Sequence, residues 1–453
     1  MRKPRPKATA TASTPLAGRL AASQWTLPVT GLVVLAAILG GVYAWPTGDV
    51  MPPPISQEQP LVLPSEPDNV PVAAIRAEAE QAVSRLIERF PTATQAWHAA
   101  AMLYHFLNQH EQAIAYWKKS IELDPQDGVA YEWLAKMQVR RGEDAEAART
   151  LEQAIERQVA GVEILREYSV ILQRQGELEQ AVQVARQALA ASPEHRDLWV
   201  TMGQAQMQLG QLGEARASFE EALRLDATSE TAHFGAANAC QRLGDTQQAA
   251  YHRRQVESLH KASLRKQLPF DEDYNRSLRS TVATILSAAA GCYKDAGEAD
   301  EAERLCLRAC AIDPSNPSPY RELANLYHQD GNFERALAVQ ERLMDVEAEN
   351  PANAINFASL SFQLGRLEQG EEALLRAVER FPESGLVLEA LALVYLRRGE
   401  PAQARPYVER AIEAGPTHER YELLAQVCRS LGDSAAAEPA ERAAQTLAPT
   451  PQP

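Results

Sequence analysis

The stretch from Trp97 to Pro125, WHAAAMLYHFLNQHEQAIAYWKKSIELDP, decides the fold that we predict for this chain. Its apolar residues recur at intervals of three and four, which is the period of an α-helix that buries one face. A polar break around Asn108 separates two such segments. The second segment should end before Pro125, because proline cannot continue a helix. The stretch therefore predicts two helices joined by a tight turn.

Glycines place the same unit along the rest of the chain. Gly142, Gly176, Gly210 and Gly244 recur at a constant interval of about 34 residues, and so do Gly297, Gly331, Gly365 and Gly399. Asn108 takes the same place in the first unit. At this place we expect a left-handed backbone conformation, which glycine tolerates best and asparagine next best. One helical hairpin should therefore recur through most of the chain.

Small residues take two further places in each unit. One series in the first helix runs from Ala101 to Ala425, and a second series in the second helix runs from Ala113 to Ala437. Small side chains let two helices approach closely. The composition, which is rich in Ala, Leu, Arg, Glu and Gln and poor in aromatic residues, also favours helices over sheets.

These patterns resemble the tetratricopeptide-repeat (TPR) family, which places Trp, Leu-Gly, Tyr, Ala, Phe and Pro at set positions in a unit of about 34 residues. Ten units can be phased, starting at residues 94, 128, 162, 196, 230, 283, 317, 351, 385 and 418. The resemblance implies an all-α, right-handed α-solenoid of about ten TPR hairpins. It also implies protein binding along a concave surface, and no enzymatic activity.

The amino-terminal part differs from the repeats, because no charged residue occurs from Leu20 to Gly48. Residues 25–45 would span about 30 Å as a helix, which matches the hydrocarbon core of a bilayer. We therefore predict a transmembrane anchor at 25–45, after a basic cytoplasmic tail at 1–24 and before a Pro-rich linker at 46–71. The alternative is a secretory signal sequence cleaved near Val42-Tyr43-Ala44.

Charge around this segment predicts its orientation. Five basic residues precede the apolar run and none follows closely, so the positive-inside bias keeps the amino terminus in the cytoplasm. We expect a single-pass protein of a cell inner membrane with its repeats on the periplasmic side, or a secreted protein after cleavage. A bacterial host is suggested only by the frequent Ala and Arg residues.

The remaining boundaries follow from the phasing. We predict a capping helix at 72–91, TPR units 1–5 at 94–261, an insertion at 262–282, units 6–10 at 283–446 and a disordered tail at 447–453. The insertion is indicated by the spacing between Gly244 and Gly297, which is clearly longer than the repeat interval. We expect two lengthened helices there, one to about Leu268 and one from near Asp271. They would form a hairpin that projects from or bends the solenoid, as a tolerated surface insertion, a hinge or a docking element.

Charge and residue types exclude several functions. The chain has 45 Lys and Arg against 60 Asp and Glu, a net charge of −15, which disfavours nucleic acid and favours a basic or neutral protein partner. The nine histidines are scattered and no Cys-x-x-Cys occurs, so we predict no metal and no cofactor. Cys292, Cys306 and Cys310 either form a disulfide or, as their register favours, pack in the core.

The resemblance also suggests a peptide-binding site. Some family members hold a terminal carboxylate with a basic residue and two asparagines, and Arg321, Asn325 and Asn356 match those three places. Leu386 and Ala390 stand where two further basic residues would complete this clamp. The alternative is that all three are ordinary solvated residues. A mixed set of side chains is expected on the rest of the inner face: Glu132, Arg166, Phe234, Arg321, Glu389 and Arg397.

We therefore expect a membrane-tethered protein-interaction scaffold or assembly factor. One rival is a regulatory or catalytic component with a site in the 261–281 segment, whose polar cluster comprises Asp271, Glu272, Asp273 and Arg276. Another rival is a structural protein that associates with itself. Neither a phosphate-binding glycine loop nor a nucleophile elbow occurs in the sequence.

Overall fold

A computed structural model describes residues 61–264 and 270–447 of the chain. Within these ranges all regular structure is α-helical, so the predicted all-α class is confirmed. The predicted anchor at 25–45 lies outside the described residues, as do the basic tail, the first part of the linker and most of the 447–453 tail. In the described part, none of the helices combines the length and the apolar character that crossing a bilayer requires.

The described residues form 21 helices. They are α1 Val72–Arg89, α2 Thr94–Phe106, α3 His110–Leu123, α4 Gly128–Arg140, α5 Asp144–Glu156, α6 Val162–Gln175, α7 Leu178–Ala191, α8 Arg196–Leu209, α9 Leu212–Leu225, α10 Glu230–Leu243, α11 Thr246–Leu264, α12 Phe270–Asp295, α13 Ala299–Ile312, α14 Pro317–Gln329, α15 Phe333–Val346, α16 Pro351–Gln363, α17 Leu367–Arg380, α18 Gly385–Arg397, α19 Pro401–Ala414, α20 His418–Ser430 and α21 Ser434–Leu447.

From α2 onward the helices pair into ten hairpins. Each hairpin has a first helix, which we call the A helix, and a second, the B helix, so that α2 and α3 form unit 1 and α20 and α21 form unit 10. We call units 1–5 (α2–α11) array 1 and units 6–10 (α12–α21) array 2. Within each array, a B helix packs against the A helix of the next unit.

The turn of each hairpin has the left-handed conformation that the glycine spacing predicts. Gly297, between α12 and α13, has φ = +77°, and Asn108 has φ = +61° at the same place in unit 1. The backbone N–H of Glu298 donates to the Tyr293 carbonyl oxygen at 2.8 Å, which satisfies a carbonyl at the end of α12. The turn therefore depends on a residue that tolerates positive φ.

Two glycines of unit 6 should respond oppositely to alanine. Gly297→Ala places a side chain in the left-handed region and should lower the free energy of unfolding by about 1–2 kcal/mol. Gly291→Ala lies in the helical interior of α12, where an added Cβ meets nothing nearer than the Glu322 carboxylate at 4.0 Å, and should raise it by about 0.5–1 kcal/mol. Urea denaturation of the two variants checks this, and equal effects would contradict it.

Array 1 ends at α11 because the packing face of that helix becomes polar. In units 1–4, one recurring place of the B helix holds a buried apolar residue: Trp117, Leu151, Ala185 and Phe219. In unit 5 the same place holds Arg253, which is exposed, and Glu257 follows one turn later. A further A helix packed there would bury the Arg253 guanidinium, which has only a hydrogen bond to the Gln241 side chain at 3.2 Å, and the ion pair of Glu257 with Lys261. Taking these charges out of water would cost several kcal/mol.

The insertion is arranged differently from our prediction. Helices α11 and α12 are both lengthened, to 19 and 26 residues, but they do not form a hairpin, because over their described residues they make almost no contact. Helix α12 packs instead against α1, α2, α13 and α14. The second array is therefore joined to the beginning of the first array rather than to its end.

Helix α1 is not the terminal cap that we predicted. Its apolar stripe of Ile75, Ala79, Val83 and Leu86 is buried against α2 and α12, in the largest apolar cluster among the described residues. The expected cap would have had one face in solvent. Its position beside α12 is the one that α11 would take in an uninterrupted solenoid.

Candidate partner-binding surface

The exposed side of the A helices in array 1 carries charges that neutralise one another. Lys136 on α4 lies 2.6 Å from Glu132 and 4.0 Å from Glu167 on α6. The guanidinium of Arg166 lies 2.8 Å from the Glu163 carboxylate and 2.5 Å from that of Glu167. Two of the charged residues that we predicted on this face, Glu132 and Arg166, therefore form ion pairs with other side chains of the same chain.

The ion pairs continue to the start of the fourth unit. Nε2 of His195, the residue before α8, lies 2.6 Å from the Glu163 carboxylate. Burial alone would raise the pKa of Glu163, but the hydrogen bonds and charges of Arg166 and His195 outweigh burial and hold this pKa below its ordinary value. A charged partner would have to break existing contacts in order to bind these groups.

Large apolar side chains are also exposed on A helices of array 1. Phe234 on α10, which we predicted on the inner face, is 60% exposed, and Val129 on α4 is 51% exposed. Nearby, the Trp133 ring contacts the Lys136 ammonium, with 5.0 Å from the nitrogen to the ring centroid. This surface of array 1 therefore combines neutralised charges with uncovered apolar groups.

A buried histidine pair fixes the hairpin that presents Phe234. The Nδ1 atoms of His233 on α10 and His252 on α11 are 2.9 Å apart, and both rings are nearly fully buried. Nε2 of His233 donates to the Ala227 carbonyl oxygen at 3.1 Å, so its Nδ1 is the acceptor for the N–H of His252. Burial, followed by the nearby His233, lowers the pKa of His252. The lowered pKa of His252 favours the neutral form of that ring near pH 7.

The predicted carboxylate clamp in array 2 has its basic residue already occupied. Arg321 forms an ion pair with Glu347, whose carboxylate also accepts from the Asn353 amide at 3.3 Å. Asn325 is exposed and Asn356 is half-buried, and in the described part of the chain neither has a side-chain hydrogen bond. The family motif does not include the place of Glu347, so this competitor could not be anticipated from the motif.

Glu389 is not the inner-face residue that we predicted. It is buried, and its carboxylate accepts from Nε of the buried Arg420 on α20 at 3.1 Å. Burial raises the pKa of Glu389, and the Arg420 charge opposes this shift. The contact is structural, because it joins units 9 and 10. Arg397, in contrast, is exposed.

Array 2 also has a groove of about 400 Å³ where α15, α16 and α17 meet. Its apolar walls include Met344, Phe357 and Phe381. Arg376 and Arg380 lie at its edge, and each forms an ion pair, with Glu372 and Glu349 respectively. The groove thus has the same character as the surface of array 1, with apolar walls and paired charges.

The described residues contain no cluster of His, Cys, Asp and Glu arranged to hold a metal ion. In the 261–281 segment, Asp273 and Arg276 are exposed, while the side chains of Asp271 and Glu272 lie outside the described part. All five cysteines are free and buried. Burial raises the pKa of Cys292 to about 11 and that of Cys310 to about 12, so both are protonated core residues near neutral pH.

Several known proteins are similar to parts of the chain. The TPR repeat-containing thioredoxin TTL4 of Arabidopsis thaliana is 29% identical over 131 residues, which are 27% of this chain and 19% of that protein. The type IV pilus assembly protein PilF of Pseudomonas aeruginosa is 28% identical over 124 residues, 26% of this chain and 48% of PilF. The chain thus spans less than half the length of these two relatives.

Solved structures of repeat proteins also match in part. YrrB, described as a TPR protein with an unusual peptide-binding site, is 18% identical with a TM-score of 0.34, and the match covers 39% of this chain and 91% of YrrB. MamA is 15% identical with a TM-score of 0.33, over 36% of this chain and 95% of MamA.

Sequence models of the family match along both arrays. Models of the tetratricopeptide repeat match residues 94–127, 128–153, 172–218, 200–255, 305–338, 355–419 and 390–450. The matched segments together span more than half of the chain and lie along the helical hairpins described above. The chain therefore belongs to the tetratricopeptide repeat family.

Proposed function

We propose that this protein is a membrane-tethered scaffold or assembly factor that holds a partner protein against the A helices of array 1. Members of the family bind protein or peptide partners, and one relative, PilF, is named as a pilus assembly protein. In this proposal, residues 25–45 anchor the chain and the repeats lie on the periplasmic side. The observation that carries the proposal is the exposed Phe234 on a surface whose charges are already paired.

The pairing of charges indicates the chemistry of the partner. Because Glu132, Arg166 and Glu163 are held by neighbouring side chains, an added charged group gains little from them. Covering the ring of Phe234 instead removes apolar area from water, which contributes about 1.5–3 kcal/mol for a fully buried side chain. The partner segment is therefore neutral and apolar where it meets α10, and it carries an aliphatic or aromatic side chain there.

Removing the Phe234 ring should weaken partner binding by at least about tenfold, the equivalent of about 1.4 kcal/mol. We would isolate the full-length protein from the membrane fraction, identify its cross-linked partner, and titrate that partner against the wild type and Phe234→Ala. Leu431→Ala, which removes an exposed apolar side chain from array 2, is the matched control and should bind as the wild type does.

Three results would count against the proposal. Equal binding by wild type and Phe234→Ala would exclude this surface. Loss of binding in both variants would show an effect unrelated to array 1. Recovery of the intact chain only from the soluble fraction would refute the proposed membrane anchor. The titration would still test the binding surface.

A further inference from the structure

The segment before α1 is bound to array 2 like a peptide ligand. We call residues 61–71 the strap; they form no helix or strand and run across α12, α13 and α14. The Asp68 backbone N–H donates to the Ala311 carbonyl oxygen at 2.8 Å. Tyr320 is fully buried. Its hydroxyl donates to the carbonyl oxygen of Pro314 at 3.2 Å and lies 3.5 Å from that of Pro64 in the strap. Leu61, Leu63 and Val70 pack against the large apolar cluster that α1 forms with α2 and α12.

Two arginines bind the one carboxylate of the strap that faces the protein. Asp68 accepts from the guanidinium of Arg279 on α12 at 2.9 Å and from that of Arg308 on α13. Arg279 also donates to the carbonyl oxygens of Val70 at 2.8 Å and Ile312 at 3.2 Å. Charge-assisted bonds of this kind are stronger than neutral ones, and two guanidiniums on one carboxylate fix its position.

The same arginine connects the strap to α1. Arg308 donates two parallel bonds to the Glu78 carboxylate, at 2.8 and 2.7 Å. At the other end of α1, Arg89 lies 2.5 Å from Glu298 at the start of α13. Since α1 also packs against α2, these contacts bridge array 1 and array 2.

We propose that the groove across α12, α13 and α14 is a binding site for an extended acidic segment, and that the strap is its ligand within the same chain. Filling this site adds charge-assisted contacts to the apolar packing of α12 against α1 and α2, at a junction where α11 and α12 make almost no contact with each other. Asp68 and its two arginines therefore contribute to the arrangement of the two arrays, together with this apolar packing. This proposal does not depend on the partner surface of array 1.

Charge reversal in the strap tests the site in the full-length protein. Asp68→Lys places a cation against Arg279 and Arg308 and should release the strap, whereas Glu66→Lys makes the same change at an exposed neighbouring residue. Hydrogen exchange followed by mass spectrometry should show at least tenfold faster exchange in residues 61–89 and in α12 for Asp68→Lys. Exchange in units 3 and 9 should stay as in the wild type, and Glu66→Lys should match the wild type throughout.

The milder variant Asp68→Asn keeps the test interpretable should the reversal unfold the protein, and it should accelerate exchange in the same segments by a smaller factor. Two results would overturn the proposal: equal exchange in Asp68→Lys and Glu66→Lys, or faster exchange spread evenly over all ten units in Asp68→Asn. These exchange measurements need no partner protein. A negative result would therefore refute the strap site without bearing on the proposed partner surface of array 1.

A second measurement asks whether the site takes the segment in trans. A fluorescent peptide with the sequence of residues 61–71 should bind the full-length Asp68→Lys protein saturably, as measured by anisotropy. It should bind the wild type at least tenfold more weakly, because an attached segment competes at a local concentration on the order of millimolar. A peptide with Asn in place of Asp68 should bind at least tenfold more weakly than the acidic one. Equal binding of the two peptides, or no binding, would refute a carboxylate site.

Discussion

Arg420→Ala should lower the free energy of unfolding of array 2 by about 3–5 kcal/mol, because it leaves the Glu389 carboxylate buried without its cation. The guanidinium also donates to the Ala411 carbonyl oxygen at 3.1 Å and to that of Gly415, so two further acceptors lose their donor. Its position requires Gly385, where an added Cβ would lie 2.5 Å from the guanidinium. Guanidinium chloride denaturation measures the loss, and exchange should rise first in units 9 and 10.

The control for Arg420 is on the same helix. Arg429→Ala removes an exposed arginine that pairs with Glu441, and it should change stability by less than about 1 kcal/mol. In the double variant Glu389→Leu with Arg420→Met both charges are absent, so most of the lost stability should return. A loss in Arg420→Ala no larger than in Arg429→Ala would show that this contact does not hold units 9 and 10 together.

Phe219→Ala should cost array 1 about 3–5 kcal/mol, the usual range for removing a buried phenylalanine ring. The Phe219 ring fills the space beside Gly203 and Gly235, which have no side chains. A Cβ added at Gly203 would lie 2.9 Å from the ring, and one added at Gly235 would lie closer still. Both neighbouring A helices therefore lose their contact at once. The resulting cavity cannot be filled by side chains at two glycines, so relaxation recovers little of the loss.

The matched control is the exposed phenylalanine of the next A helix. Phe234→Ala makes the same substitution and should change stability by less than about 1 kcal/mol, since the ring is 60% exposed. Denaturation followed by hydrogen exchange should place the effect of Phe219→Ala in α8, α9 and α10. Similar losses in the two variants would mean that the Phe234 ring is part of the core, which would also weaken the proposed partner surface.

Local chemistry made the repeats predictable. Each hairpin needs a residue that tolerates positive φ at its turn, and Gly297 and its equivalents meet that need in every unit where it was predicted. Small residues such as Ala101 and Ala113 are buried where two helices touch. These requirements act within one unit, so a periodic sequence displays them directly.

The candidate site was less predictable, because its character depends on which side chains meet across units. Phe234, which was expected on the inner face, is exposed on an A helix. Glu389 was placed there too, yet its partner Arg420 lies 31 residues along the chain, at a place with no recurring basic residue. Similarly, Arg321 was expected to be available for a ligand, and Glu347 occupies it. Pairings of this kind are specific to one junction and leave no trace in a repeat pattern.

By itself, the sequence determined that this protein is built from ten TPR hairpins, since turn, spacing and closing residues are properties of each unit. Only the tertiary structure decided how the hairpins are joined. The charges of Arg253 and Glu257 disfavour packing of a sixth unit on α11. The apolar stripe of α1 supplies the surface on which α12 packs, and Arg279 and Arg308 of array 2 bind Asp68 in the segment before α1. The sequence shows an insertion between units 5 and 6, and the structure shows two arrays joined near the amino-terminal end of the repeats, because burying apolar area there costs no unpaired charge.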